Sequence, residues 1–119
     1  MYINTNINRH LFKTKIVNNE KDIKMGMMGK NFTKEFDALL FVMNTPTSSF
    51  WMKNCIIPLD IIFIKNNIIT KIHHNCPPCN SINNHCKKYK GHGDLVIEMP
   101  GGLSKKLNIE KGHHVTFTK

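Results

Sequence analysis

The stretch Phe50-Trp51-Met52-Lys53-Asn54-Cys55-Ile56-Ile57-Pro58-Leu59-Asp60-Ile61-Ile62-Phe63-Ile64 decides how this chain reads. It is the longest apolar segment and holds the single tryptophan, yet it sets Lys53, Asn54 and Asp60 among hydrocarbon. Burying a lysine or a carboxylate in such surroundings is costly unless each is paired or left near water. The segment therefore reads as core with a polar feature built into it. Pro58 breaks it. Residues 49–53 are expected as one strand, with Phe50 and Met52 on one face and Trp51 and Lys53 on the other, and 59–64 as the next strand. Asn66-Asn67 marks a tight hairpin, since asparagine tolerates positive φ, and 68–72 returns as a strand.

Outward from this stretch, residues 38–43 (ALLFVM) read as a buried strand by length and apolarity, and 95–99 (LVIEM) as another, with Val96 and Glu98 opposite Leu95, Ile97 and Met99. A first strand is expected over 11–17 and a last one around Val115 and Phe117. Residues 1–10, polar and asparagine-rich, are expected to be a loose terminus, leaving 11–119 as one β-rich domain. Asn19 with Asp22 three residues on has the form of a capping box, opening a short helix over 22–28 that Gly29 stops. A second short helix is expected over 103–107. Seven strands and two short helices favour a mainly β domain, a sandwich or barrel of jelly-roll type.

Length bounds the chain to one domain, because 119 residues build one real core but not two. The formal net charge of +9 goes with an excess of Asn, Ile and Lys, a pattern that A+T-rich coding sequence also produces. Charge alone is therefore weak evidence for a nucleic-acid partner. No signal peptide is visible, and the run 56–64 is too short to span a bilayer. A soluble, monomeric protein of a reducing cytoplasm is the default expectation.

Four groups of residues could carry chemistry. The first is Trp51, Lys53, Asn54 and Asp60, either the wall of a pocket for a small molecule or sugar or an internal strut in which Lys53 pairs with Asp60. The second lies in 73–93, read as a long polar loop. There Cys76, Cys79 and Cys86 with His74 make a donor set for a structural zinc, while a redox disulfide or free thiols are the other readings. The third is Met25-Gly26-Met27-Met28, whose thioethers would need an accompanying Cys or His to hold a soft metal, and which otherwise fill core. The fourth is Lys87, Lys88 and Lys90 around Tyr89, a basic cluster that could meet a polyanion or nucleic acid. Enzymatic motifs are absent: no G-x-S-x-G, no H-E-x-x-H and no phosphate-binding glycine loop.

The residues Phe50-Trp51-Met52-Lys53-Asn54 followed by Ile57-Pro58-Leu59-Asp60-Ile61 resemble the signature of the uncharacterised family called domain of unknown function 192. Gly26-Met27-Met28, Leu39-Leu40-Phe41, Pro77-Pro78-Cys79, Cys86, Tyr89, Gly93, Ile97-Glu98, Gly102, Ile109 and Gly112 are similar to further positions of that pattern, at matching separations. The resemblance implies a small β-rich fold and no particular activity. It also implies that Cys79 and Cys86 tie the loop together, because Cys76 falls at a position that is often alanine in the family. Lys30, Ala38, Cys55 and His113 depart from the usual Arg, Gly, Thr and Asp. Two function classes follow. One is a non-enzymatic ligand-binding β-module, which the residues favour. The other is a small hydrolase-like enzyme on a sugar or nucleotide, using Asp60 with His73, His74 or His92.

Overall fold

The computed structural model describes residues 1–80 and 85–119. Nine strands and two short helices follow in chain order: β1 (Tyr2–Ile7), β2 (His10–Val17), α1 (Glu20–Met25), β3 (Ala38–Val42), β4 (Thr47–Trp51), β5 (Leu59–Lys65), β6 (Ile68–Cys76), β7 (Lys88–His92), β8 (Leu95–Pro100), α2 (Leu103–Lys106) and β9 (Val115–Thr118). Seven strands form one curled sheet in the order β6-β5-β8-β3-β2-β1-β9, and β4 and β7 form a separate two-stranded ribbon. The two edges of the large sheet meet at one end. Ile69 donates its amide to the His113 carbonyl and Val115 donates to Asn67, with a bridge between Ile68 and His114. The molecule is mainly β, as the pattern of short alternating runs requires.

Strand alternation sorts the core into two clusters on the two faces of the sheet. Inside the curl lie Ile7, Phe12, Ala38, Leu40, Ile62, Ile64, Ile69, Ile97, Met99, Ile109 and Val115. On the outer face lie Val17, Met27, Leu39, Phe41, Met52, Cys55, Leu59, Ile61, Phe63, Cys76, Tyr89 and Val96. The β4–β7 ribbon and the segment after α1 cover this outer cluster. The ribbon sits flat because Gly91 in β7 leaves room for the Phe63 ring, which a Cβ there would strike. Phe50 of the ribbon meets Phe41 and Phe63 edge-on, with ring centroids 5.0 and 5.8 Å away.

Four elements differ from the sequence expectation. The terminus expected to be loose is a strand: residues 2–7 pair with β2 on one side and 4–7 with β9 on the other. Asparagine is a poor strand residue by propensity. Here Asn4 and Asn6 face away from the core while Thr5 and Ile7 point in, fully buried, and the Thr5 and Thr14 hydroxyls bond each other at 2.7 Å. The strand expected over 49–53 begins two residues earlier, as a ribbon partner of β7 rather than a member of the main sheet. The loop expected over 73–93 is strand at both ends, since β6 runs to Cys76 and β7 spans Lys88–His92. Residues 81–84, within that expected loop, lie outside the described residues. The first helix, expected over 22–28 with Gly29 as its stop, runs Glu20–Met25 and ends at Gly26, while its start follows the cap: the Asn19 side chain accepts the Asp22 amide at 2.9 Å and donates to the Asp22 carboxylate. Asn66 and Asn67 take φ of 52° and 63°, making the hairpin turn expected there.

Candidate functional site

Asp60 and Glu98 are two buried carboxyls of one sheet. Asp60 lies on β5, on the inner face. It is fully buried, and its oxygens accept three backbone amides, those of Asn75 at 2.7 Å, Gly102 at 3.0 Å and Ser104 at 2.8 Å. These bonds pin the end of β6 and the start of α2 to the sheet. Asp60 is thus committed to backbone donors on the inner face.

Glu98 lies on β8, opposite Leu39 of β3 and Ile61 of β5, and faces the outer cluster. It is 3 % exposed, and its Oε1 has no hydrogen-bond partner among the described residues. Burial pushes its acid up to about 8. Above it opens a cleft of about 170 Å³ lined by Met25, Gly26, Met27, Met28, Phe41, Met43, Phe50, Trp51 and Cys55, with Ile23, Lys24 and Ser49 at its wall. Gly26 takes φ of 47°, and a Cβ there would stand 3.3 Å from the Phe41 ring and 3.8 Å from Glu98 Oε1. A side chain at this position would therefore be strained and would crowd the floor of the cleft. Cys55 is a buried free cysteine whose thiol is pushed up to about 12, first by desolvation and then by neighbouring Glu98.

Of the residues singled out in the sequence, Trp51 lines this cleft from the end of β4. The Lys53 Nζ lies 5.2 Å from the Trp51 ring centroid, a cation–π distance. Asn54 takes φ of 59°. Its amide donates to the Cys79 carbonyl and its carbonyl accepts the Gly29 amide, so its backbone joins the segment after α1 to the cysteine region. Trp51, Lys53 and Asn54 are thus neighbours, whereas Asp60 faces the opposite side of the sheet.

The zinc donor set does not converge. Cys79 and Cys86 are joined as a disulfide, with Cα atoms 5.9 Å apart. Cys76 is buried on the outer face; its thiol is pushed up to about 11 by burial, against a lowering hydrogen bond from Tyr89. His74 Nδ1 pairs with the Ser104 hydroxyl at 3.0 Å. Among the described residues no three His, Cys, Asp or Glu side chains gather around one point. The imidazoles offered to Asp60 are also placed elsewhere. His73 Nε2 meets the Lys90 carbonyl at 2.7 Å and its ring packs against Phe63 and Tyr89, and His92 lies in the β7 groove.

The basic cluster divides. Lys87 covers the Tyr89 ring at 5.2 Å, Lys88 stands beside Trp51, and Lys90 joins Lys71 and Lys111 in a groove of about 620 Å³ along β7. No helix among the described residues is long and apolar enough to cross a membrane, which says nothing of strands.

Glu98 and Cys55 are the residues that sequence reasoning missed. A carboxylate inside the apolar run LVIEM was the available signal, since a central strand buried on both faces has no solvated side for it.

A small curled-sheet β domain, carrying an outer ribbon and a cleft floored by the buried Glu98 carboxyl, is the class that fold and geometry define. The chain belongs to the family described as "Uncharacterized ACR", domain of unknown function 192, whose model matches residues 2–117. Among solved structures it is similar to a protein of unknown function from Novosphingobium aromaticivorans DSM 12444, with 27 % identity, TM-score 0.84, and coverage of 97 % of this chain and 84 % of that one. It is similar in fold to a protein described as a "putative transcription regulator" from Sinorhizobium meliloti 1021, with 21 % identity, TM-score 0.86, and coverage of 98 % and 94 %. No curated protein matches the sequence.

Proposed function

We propose that the protein is a non-enzymatic binding module that takes a compact ligand in the Glu98 cleft. The supporting observation is the Glu98 Oε1 atom, buried and without a partner at the floor of a cleft walled by Phe50, Trp51 and the methionines. Leaving a buried polar atom unpaired costs about 1–3 kcal/mol. A bound ligand that supplies a donor or cationic group recovers that cost, and the apolar walls reward its hydrocarbon or soft atoms. The cleft is smaller than the roughly 300–1,000 Å³ of drug-sized sites, so the ligand is small. An enzymatic reading is weaker, because Asp60 is held by three amides and its expected imidazole partners bond elsewhere.

The test is Trp51 emission, which reports on the cleft directly because the chain has one tryptophan. Titration with a panel of small amines and soft cations is expected to give saturable changes in the wild type that Glu98→Gln abolishes or weakens at least tenfold. Equal responses in the two proteins would remove Glu98 from the site.

A second reading rests on the β7 groove. Lys71, Lys90 and Lys111 face it together with hydroxyls of Thr47, Ser48, Ser49 and Thr70, and the Ser48 Oγ is buried without a partner. That set suits an anion. Retention on heparin that survives moderate salt supports it, and early elution dismisses it.

A further inference from the structure

The methionines at 25–28 lack, in the sequence, a thiol or imidazole to complete a metal site. The fold brings one. Met28 forms an isolated bridge with Cys55, and the Gly29 amide donates to the Asn54 carbonyl at 2.8 Å, so the segment after α1 is laid along the residues that precede Pro58. Cys55 thereby joins Met25, Met27, Met28 and Met43 around the same cleft, with Glu98 at its floor.

We propose that the ligand of this cleft is monovalent copper, held by the Cys55 sulfur and methionine thioethers, with Glu98 beside them at the floor. The proposal rests on the cleft reading above and names its ligand. The donor set chooses the metal. It offers one thiol, four thioethers, one carboxyl, the Lys24 amine and the Ser49 hydroxyl, with no imidazole. Zinc takes four thiolate, imidazole or carboxylate donors, and the cleft supplies two. Thiolate and thioether sulfur are the soft ligands that select monovalent copper. A monovalent cation on one thiolate is a neutral pair, which lowers the cost of burying it. On binding, the S–H bond of Cys55 breaks, the S–Cu bond forms and the proton goes to water. No electron moves.

Two features separate this arrangement from methionines that only fill core. Met25 is 43 % exposed, with Met28 and Met43 half-buried around an open cleft rather than enclosed. Glu98 is a polar group within the same wall whose Oε1 nothing satisfies.

The experiment is anaerobic titration with copper delivered as its monovalent acetonitrile complex, in competition with bicinchoninate and without thiol reductants, so that the Cys79–Cys86 disulfide stays closed. The wild type is expected to retain one equivalent of copper. Cys55→Ser loses it, and Met28→Leu, which leaves every thiol in place, weakens it. Glu98→Gln weakens it by about 10- to 100-fold, the range typical of groups that orient a metal ligand. The double variant Cys79→Ser, Cys86→Ser retains it. X-ray absorption at the copper edge shows sulfur neighbours only. Copper held equally well by Cys55→Ser, lost in the double variant, or surrounded by nitrogen and oxygen overturns the assignment, as does a wild type that retains none. If copper fails while small amines still change Trp51 emission in a Glu98-dependent way, the cleft reading stands and only the copper assignment falls. If neither has any effect, both fall.

Discussion

Asp60 and Glu98 sit on two strands of the same sheet, paired through Asp60 and Met99, yet they point to opposite faces and meet opposite fates. Asp60, inside the curl, receives three amide donors from the end of β6 and the start of α2. Glu98, on the outer face, has an oxygen that receives none. A buried carboxylate surrounded by backbone donors is a fastening. A buried carboxyl left without one is a cost that the fold carries, and such costs are retained where something else meets them. The residue that stood out in the sequence is the fastening, and the one that passed as strand is the candidate site.

This contrast can be broken by substitution. The largest effect belongs to Asp60. Asp60→Ala strands three buried amides and is expected to destabilise the chain by about 3–5 kcal/mol, read as a shift of the urea midpoint. A loss below about 1 kcal/mol would deny the fastening role.

Glu98→Gln should act with the opposite sign. The folded chain keeps a proton on Glu98 up to about pH 8, whereas its ordinary value is 4.5. Between these values the unfolded chain has released a proton that the folded chain still holds. Wild-type stability therefore falls as pH rises through this window, by up to about 1.4 kcal/mol per pH unit, and levels off above it. Below the window both states are protonated and the term vanishes. Cys55, held at about 12 in the folded chain, adds to the slope only near its ordinary value of 9.0 and above, where the unfolded thiol ionises. Glu98→Gln should be more stable than the wild type at pH 8 and gain nothing at pH 4; parallel stability curves from pH 4 to 9 would contradict this.

The disulfide gives a smaller effect. Cys79 bonds the 52–54 segment through its own amide and carbonyl, so that segment keeps its place without Cys86. Replacing both cysteines by serine should cost roughly 2–3 kcal/mol, the loop-closure value for a short ring, and leave the Trp51 emission maximum unchanged. A shifted maximum would mean that the disulfide shapes the cleft wall. Smallest of all, Asn19→Ala removes the cap of α1 and should cost about 1 kcal/mol in thermal unfolding.

Much of this architecture was legible because local chemistry and fold agree. Asn19 with Asp22, the Asn66-Asn67 turn and the apolar runs of β3, β5 and β8 each do in the structure what their residues favour. The failures have physical causes. Tyr2–Ile7 is rich in asparagine, and only pairing with both β2 and β9 makes it a strand. β7 carries lysines and Gly91, which reads as a turn until the Phe63 ring beneath it explains the missing side chain. At the site, Trp51 was visible because tryptophan is rare and large. Asp60 was visible but its role was not, since the amides that hold it come from residues 15 and more than 40 positions away. Cys55 was visible only as a departure from the family pattern, and its approach to Met28 depends on the path of the chain between them.

Carbon-13 NMR titration of the Glu98 side-chain carboxyl tests the account most directly. A midpoint near pH 8 is the result expected for a carboxyl buried away from water; a midpoint near the ordinary 4.5 would show that Glu98 is solvated or paired with a cation, and the cleft would lose the group on which its ligand depends.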